Sequence, residues 1–337
     1  MNIAVAQSGG PTSAINASLL GVYRHAVKYD EVGAVYGSVN GIEGLIKDHL
    51  VDLRTIILED EDVELIRQTP STVLGSCRYK LPDPDKDTAI YETILNTLRK
   101  YEIGAFFYIG GNDSMDTVDK LHRYFIKNGV DIKVVGIPKT IDNDLPITDH
   151  TPGFGSAAKY VATTVQEITR DSSVYSIPSV TIVEIMGRDT GWLTASSAVL
   201  RANGEVAPHL IYLPEAEFHL NKFLDDIREA QKKHYAVIVA ISEGVELNKD
   251  DIGGEFQSGL VDTFGHKYLA GIAGALSKIV AKEIGCKVRA IELNVMQRCS
   301  SHVSSKRDIT EAERIGGAAV KAALDGNTGI AMVFKRV

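Results

Sequence analysis

The residues best suited to chemistry are Pro138-Lys139-Thr140-Ile141-Asp142-Asn143-Asp144. Within one short stretch they offer an ammonium, a hydroxyl and two carboxylates two residues apart. Thr140 can position a hydroxyl, and Asp142 and Asp144 can divide proton acceptance and metal binding between them. An ordinary acidic turn accounts for a lone Asp-Asn-Asp as well, so the weight falls on the surroundings. The preceding run Val134-Val135-Gly136-Ile137 reads as a buried parallel strand. The segment therefore follows the carboxyl end of a strand, where open α/β sheets place their ligands.

Two glycine loops repeat that plan. In Tyr108-Ile109-Gly110-Gly111-Asn112-Asp113-Ser114-Met115 a short strand from Ala105 to Ile109 runs into two glycines. A helix follows, with Ser114 as its expected N-cap and Val118, Leu121 and Phe125 on its buried face. Backbone amides at such a helix start, with no side chain blocking approach, make an anion site. The N-terminal stretch from Ile3 to Ser13 is again strand, glycine pair (Gly9-Gly10) and helix. Either pair alone is also a common way to turn a chain.

Together the three segments resemble the phosphofructokinase family, from residue 1 to about residue 330. The resemblance implies phosphoryl transfer to the C1 hydroxyl of fructose 6-phosphate in glycolysis or gluconeogenesis, with Mg²⁺ as cofactor. It makes Asp142 the catalytic base, with Thr140 and Arg188 stabilising the phosphoryl charge. Arg78, in Leu74-Gly75-Ser76-Cys77-Arg78, matches a family arginine that reaches the transferring group. Met186-Gly187-Arg188 is a family signature, with Met186 and Gly187 lining the sugar pocket. Glu243 matches a carboxylate that bonds sugar hydroxyls. Arg289 and Arg298, the latter in the family's Gln-Arg segment, are candidates for the sugar 6-phosphate. Gly10, Arg78, Asn112, Asp113 and Lys139 fall on the donor side.

Two positions distinguish the subfamilies. ATP users typically carry glycine where this chain has Asp113 and Lys139. The combination here resembles the pyrophosphate-dependent branch, which implies reversible transfer from pyrophosphate. The physics agrees: a carboxylate against an adenosine phosphate adds bulk and repulsion, and a lysine adds a point charge suited to a small, highly charged donor. The alternatives within this resemblance are an ATP-dependent 6-phosphofructokinase and a non-catalytic regulatory subunit.

Four departures from the family pattern stand out. Asn112 replaces an aspartate that helps hold Mg²⁺ in many members, so metal binding would rest on Asp113 and Asp144. Val295 stands where many have histidine. Ser179 stands where many have an arginine that reaches a neighbouring subunit's sugar phosphate. The chain stops at Val337, whereas members usually continue through further strand and helix; a missing terminal element would leave second-domain surface uncovered.

The elements that must position these residues follow from pattern. The chain has 337 residues, 44% of them hydrophobic, enough for two ordinary domains. Alternating strands and helices argue for parallel sheets covered on both faces. The expected fold is α/β, with two doubly wound Rossmann-like domains, parallel-rich sheets and the active site in the cleft between them. The donor domain is expected to take residues 1–153 plus about 297–330, and the sugar-phosphate domain residues 154–296, with the C-terminal residues as an alternative completion of the second. Residues 246–266 are glycine-rich and polar, and are expected to form a mobile excursion. A net charge of −8 argues against nucleic acid or an anionic membrane surface as partner. No apolar run approaches a membrane span, and Met1-Asn2-Ile3 leads straight into a strand with no basic leader. Cys77, Cys286 and Cys299 fit no zinc spacing. These features predict a cytoplasmic protein with reduced thiols, and the resemblance implies a homodimer or homotetramer.

Overall fold

The computed structural model of the chain describes residues 1–247 and 271–336. Most of the expected excursion at 246–266, and the start of a helix that the sequence suggests over about Lys267 to Glu283, lie outside these residues. Among the described residues the strands are β1 (Asn2–Gln7), β2 (Val35–Ser38), β3 (Leu50–Asp52), β4 (Ile103–Gly110), β5 (Lys133–Pro138), β6 (Ser179–Ile185), β7 (Leu210–Tyr212), β8 (Ala236–Ser242), β9 (Lys287–Glu292) and β10 (Ile330–Ala331). The longer helices are α1 (Ile15–Ala26), α2 (Asp60–Gln68), α3 (Ala89–Lys100), α4 (Asn112–Lys127), α5 (Phe154–Ser172), α6 (Leu220–Gln231), α7 (Ile272–Ile284) and α8 (Lys306–Leu324). No helix among the described residues is long and apolar enough to cross a membrane.

The strands form two sheets, ordered β10-β5-β4-β1-β2-β3 and β7-β8-β6-β9. The expected α/β, parallel-rich plan holds. Every pairing is parallel except β2 with β3, whose antiparallel edge the sequence pattern did not reveal. By contacts the chain divides into two compact units. One is Met1–Ile141, Leu145–Ser156 and Arg298–Val337; the other is Asp142–Asp144 and Ala157–Gln297.

In the first unit successive strand residues feed opposite cores, as the two-residue period of a strand requires. Ile3, Val5, Phe107, Ile109, Val135 and Ile137 join residues of α1 and α8. Ala4, Ala6, Phe106, Tyr108 and Val134 join residues of α3 and α4. Coverage on both faces is why these strands read as continuous apolar runs rather than alternating ones. In the second unit Val180, Ile182, Val237, Val239 and Ile241 pack with Phe223, Leu224 and Ile227 of α6 and with Leu276 and Val280 of α7.

Two helix caps that the sequence suggests, Ser114 and, for a helix through Ile168, Ser156, are corrected. Ser114 is not the N-cap of α4: the helix begins at Asn112, with Gly111 as cap, and the Ser114 hydroxyl instead donates to Ser8 Oγ at 3.0 Å. Ser156 lies inside the first turn of α5, which starts at Phe154. In both cases a tertiary hydroxyl contact competes with capping, and sequence alone does not show it.

Helices α1 and α8 meet through glycines. A Cβ on Gly21 would sit 2.0 Å from Glu313 O, and one on Gly316 would sit 2.3 Å from Ser18 O. Ala in place of helix Gly ordinarily stabilises by about 1 kcal/mol. Here the steric conflict is with backbone, so Gly21→Ala is expected to destabilise by roughly 1–3 kcal/mol. Denaturant unfolding checks it, and a stabilised variant would remove the close approach.

Candidate active site

Three loops leave the carboxyl edge of the first sheet. The first follows β1. Gly9 holds φ +73°, its N–H donates to Cys77 O at 3.2 Å, and Ser76 Oγ donates to its carbonyl at 2.6 Å. The Leu74–Arg78 loop is thereby fixed to the Gly9-Gly10 turn, and the exposed Arg78 follows the anchored, buried Cys77. The second loop follows β4. A Cβ on Gly110 would lie 1.9 Å from Ser114 Oγ, so glycine is required for the helix to start this tightly. Asn112 is exposed; Asp113, half-buried, lies in the first turn of α4, where the helix dipole favours its carboxylate.

The third loop, after β5, carries Lys139 and Thr140. Lys139 donates its backbone N–H to Gly110 O at 2.9 Å. Its side chain is only 2% exposed, and its Nζ donates to Gly10 O. Lys139, Gly10 and the Gly110-Gly111 turn are thus one cluster. Arg298 joins it: a Cβ on Gly10 would lie 3.1 Å from Arg298 Nη1. The sequence pattern groups Arg298 with the sugar phosphate and gave no signal of this proximity. Thr140 is held at both backbone groups, its N–H by Pro152 O at 3.1 Å and its carbonyl by Thr151 Oγ1 at 2.8 Å.

Asp142–Asp144 group with the second unit. Asn143 adopts φ +54°, a left-handed conformation that Asn tolerates better than most residues. Thr190 Oγ1 donates to Asp142 O at 2.9 Å, an anchor absent from the sequence reading. Met186-Gly187-Arg188 leave β6, and Glu243 leaves the neighbouring β8. Gly187, at φ +136°, would place a Cβ 2.4 Å from Thr190 O. Its N–H donates to Glu243 Oε1 at 3.4 Å, and Met186 N–H donates to the buried Gln297 Oε1 at 3.2 Å. Gln297 and Glu215, which accepts Gly191 N–H at 2.7 Å, are supports that sequence reasoning assigned no role. Arg188 Nε is buried and makes no hydrogen bond among the described residues.

Arg289 is not brought to this edge. It pairs with Thr181 in the β6–β9 register, four positions short of Ile185, or roughly 13 Å along the strand. Its guanidinium bonds Asp171 at 3.2 Å. Ser179 lies farther still toward the amino end, opposite Lys287.

Burial pushes the Glu243 carboxyl up to about 7; Asp142 and Glu184 add to the rise, while the Gly187 N–H and Arg188 oppose it. A carboxyl in that range can donate or accept a proton near neutrality. Among the described residues no three His, Cys, Asp or Glu side chains gather into a metal cage. Mg²⁺ commonly takes one or two carboxylates together with substrate phosphates and water. Asp113, in the first turn of α4, and Asp144 are each half-buried carboxylates.

The family model described as phosphofructokinase matches residues 2–323. The chain belongs to the phosphofructokinase family. It is 37% identical over its whole length to the pyrophosphate–fructose 6-phosphate 1-phosphotransferase of Halomonas elongata, spanning 80% of that protein. It is 39% identical over its whole length to the enzyme of the same name from Xanthomonas campestris, also spanning 80%. The crystal structure of a pyrophosphate-dependent phosphofructokinase from Marinobacter aquaeolei superposes with a TM-score of 0.83 at 36% identity, covering 97% of this chain and 76% of that one. Within the family frame, Asp142, Thr140, Arg188 and Glu243 all occupy loops at strand carboxyl ends, whereas Arg289 does not.

The raised Glu243 value has a definite sign for stability. Between the ordinary carboxyl range near 4.5 and about 7 the folded chain holds a proton that the unfolded chain has lost. Glu243 therefore favours folding at low pH, and this contribution is lost as pH rises through about 7. Glu243→Gln should remove that dependence, leaving the variant more stable than the parent at pH 8 by on the order of 1–3 kcal/mol. Urea unfolding at several pH values reads the slope; parallel curves for parent and variant would refute the shift.

Proposed function

We propose that the chain transfers a phosphoryl group from pyrophosphate to the C1 hydroxyl of fructose 6-phosphate, giving fructose 1,6-bisphosphate and phosphate. The observation that carries this reading is the donor cluster. Asp113 lies in the first turn of α4, and Lys139 is buried with its Nζ on Gly10 O. A carboxylate at the helix start opposes a nucleotide's extra phosphate, and a compact cation between the glycine turns favours a small, dense anion. The names of the most similar relatives support the same donor.

Pyrophosphate is held by Gly10, Arg78, Asn112, Asp113 and Lys139. The sugar phosphate is held by Thr140, Asp142, Met186, Gly187, Arg188, Glu243, Arg289 and Arg298. Because Arg289 stands away from Met186 in its own unit, its contribution requires a second copy, and a homo-oligomer belongs to this reading. Asp142 takes the proton as the C1 oxygen bonds to phosphorus and the bridging P–O bond breaks, releasing phosphate. Thr140 and Arg188 stabilise the charge on the transferring group. Asp113 and Asp144 would hold a Mg²⁺ ion, which would supply neutralisation of charge on the donor. The remaining work is positioning and electrostatics. A cytoplasmic location follows from the substrates.

A coupled assay for fructose 1,6-bisphosphate, with pyrophosphate and ATP offered separately, tests the donor; a parent enzyme that prefers ATP overturns it. Asp142→Ser should lower kcat by about 10²–10⁴-fold with little change in sugar-phosphate affinity. Retention of more than about a tenth of kcat removes Asp142 as base, since general-base catalysis accounts for at least two orders of magnitude. The double change Asp113→Gly, Lys139→Gly should lower kcat/KM for pyrophosphate and open measurable use of ATP. Two like charges about 4 Å apart at an effective dielectric near 20 repel by about 4 kcal/mol. Lys139→Gly alone should damage pyrophosphate use without admitting ATP, and a donor ratio that stays fixed across these variants counts against the cluster.

A further inference from the structure

Asp308 is a carboxylate that the proposed chemistry does not use. It lies in the first turn of α8 and is 4% exposed. One oxygen accepts Gly153 N–H at 2.9 Å. The other accepts Ser156 N–H at 2.9 Å and the Ser156 hydroxyl at 2.5 Å. Ser156 Oγ accepts Ser305 N–H at 3.1 Å in return. Asp308 therefore caps α5 through space, in place of the Ser156 cap that the sequence pattern suggests.

The turn that Asp308 grips is the turn that grips Thr140. Pro152 O accepts Thr140 N–H, and Thr151 Oγ1 donates to Thr140 O. Gly153 pairs with Thr140 in a parallel bridge. The turn has little slack: Gly153 holds φ +106°, and a Cβ there would lie 2.7 Å from Thr12 Cγ2. One helical turn along α8, Glu311 faces His150 Nε2 at 2.9 Å and fastens the segment just upstream.

Burial raises the Asp308 pKa against the hydrogen bonds it receives. A charge kept in the interior at that cost is weak evidence for a stabilising role. What the carboxylate supplies, and a neutral amide does not, is acceptance of three hydrogen bonds from one rigid turn.

We propose that Asp308 is a positioning residue: it fixes the 151–156 turn and, through it, the main chain of Thr140, two residues before Asp142. This rests on the roles given to Thr140 and Asp142 above. Asp308→Asn keeps the size but turns an N–H₂ toward the Ser156 N–H. In the folded variant kcat should fall by about 10- to 100-fold, the scale of a misplacement near 1 Å. KM for both substrates should stay within about threefold, because the binding side chains are untouched. Amide exchange in a peptide covering 138–144 should quicken, while exchange in α3 stays as in the parent.

A kcat within threefold of the parent, or unchanged exchange at 138–144, overturns the proposal. If Asp308→Asn does not fold, Ser156→Ala serves: it removes one of the three hydrogen bonds, and quicker exchange at 138–144 with lower kcat is again the expected result. Should the parent turn over neither pyrophosphate nor ATP with fructose 6-phosphate, the functional reading fails, and the exchange measurement still decides whether Asp308 fixes Thr140.

Discussion

Parallel strand pairing is the constraint on which the rest of this structure depends. Parallel neighbours place their carboxyl ends on one edge, so the chain must leave each sheet there repeatedly. From the first sheet it leaves at Gly9-Gly10, Gly110-Gly111 and Lys139-Thr140; from the second, at Met186-Gly187-Arg188 and Glu243. Residues 129 and 56 positions apart become neighbours through strand order. Lys139 meets Gly10 because β1 and β5 flank β4 in register. The Gly187 N–H meets Glu243 because β6 and β8 pair directly.

Pairing alone brings the loops near; sterics brings their backbones into contact. A Cβ on Gly244 would sit 1.9 Å from Arg188 O, and the Gly187 Cβ would strike Thr190 O. Ser242 Oγ donates to Gly187 O at 2.5 Å across the same gap. The two strand ends therefore touch through main chain, and Glu243 needs only one side-chain length to reach Gly187. Glycine here supplies absence of volume as much as freedom of φ.

The strands and the loops behind them were legible because fully buried parallel strands write themselves as unbroken apolar runs. Ser179–Ile185, a mostly apolar run that reads as a strand in the sequence, is a strand with those same bounds in the structure. The helix 89–100 escaped because Tyr91, Ile94, Leu95 and Leu98 follow a long polar loop with no capping signal: Thr88 makes no side-chain cap bond. The caps of α4 and α5 were misread because Ser114 and Ser156 bond to residues far away in sequence. The same limit hid Thr190 on Asp142, Gln297 on Met186, and Asp308 on the 153–156 turn. Motif matching names residues that would face a substrate. It is silent about residues that hold the main chain, because those contacts are set by register and helix placement rather than by local pattern.

That silence has an electrostatic side. The chain carries a net charge of −8 and yet is built to meet phosphates. Its buried acids are occupied with main chain: Glu184 accepts Gly271 N–H at 3.2 Å and Ala273 N–H at 2.9 Å, Glu243 accepts Gly187, and Asp308 accepts Gly153 and Ser156. Main-chain amides donate to all three carboxylates. The Nε of Arg188 is buried without a hydrogen bond among the described residues, a state that costs about 1–3 kcal/mol in a closed protein. Its positive charge is nonetheless felt by Glu243, whose carboxyl it draws downward against burial.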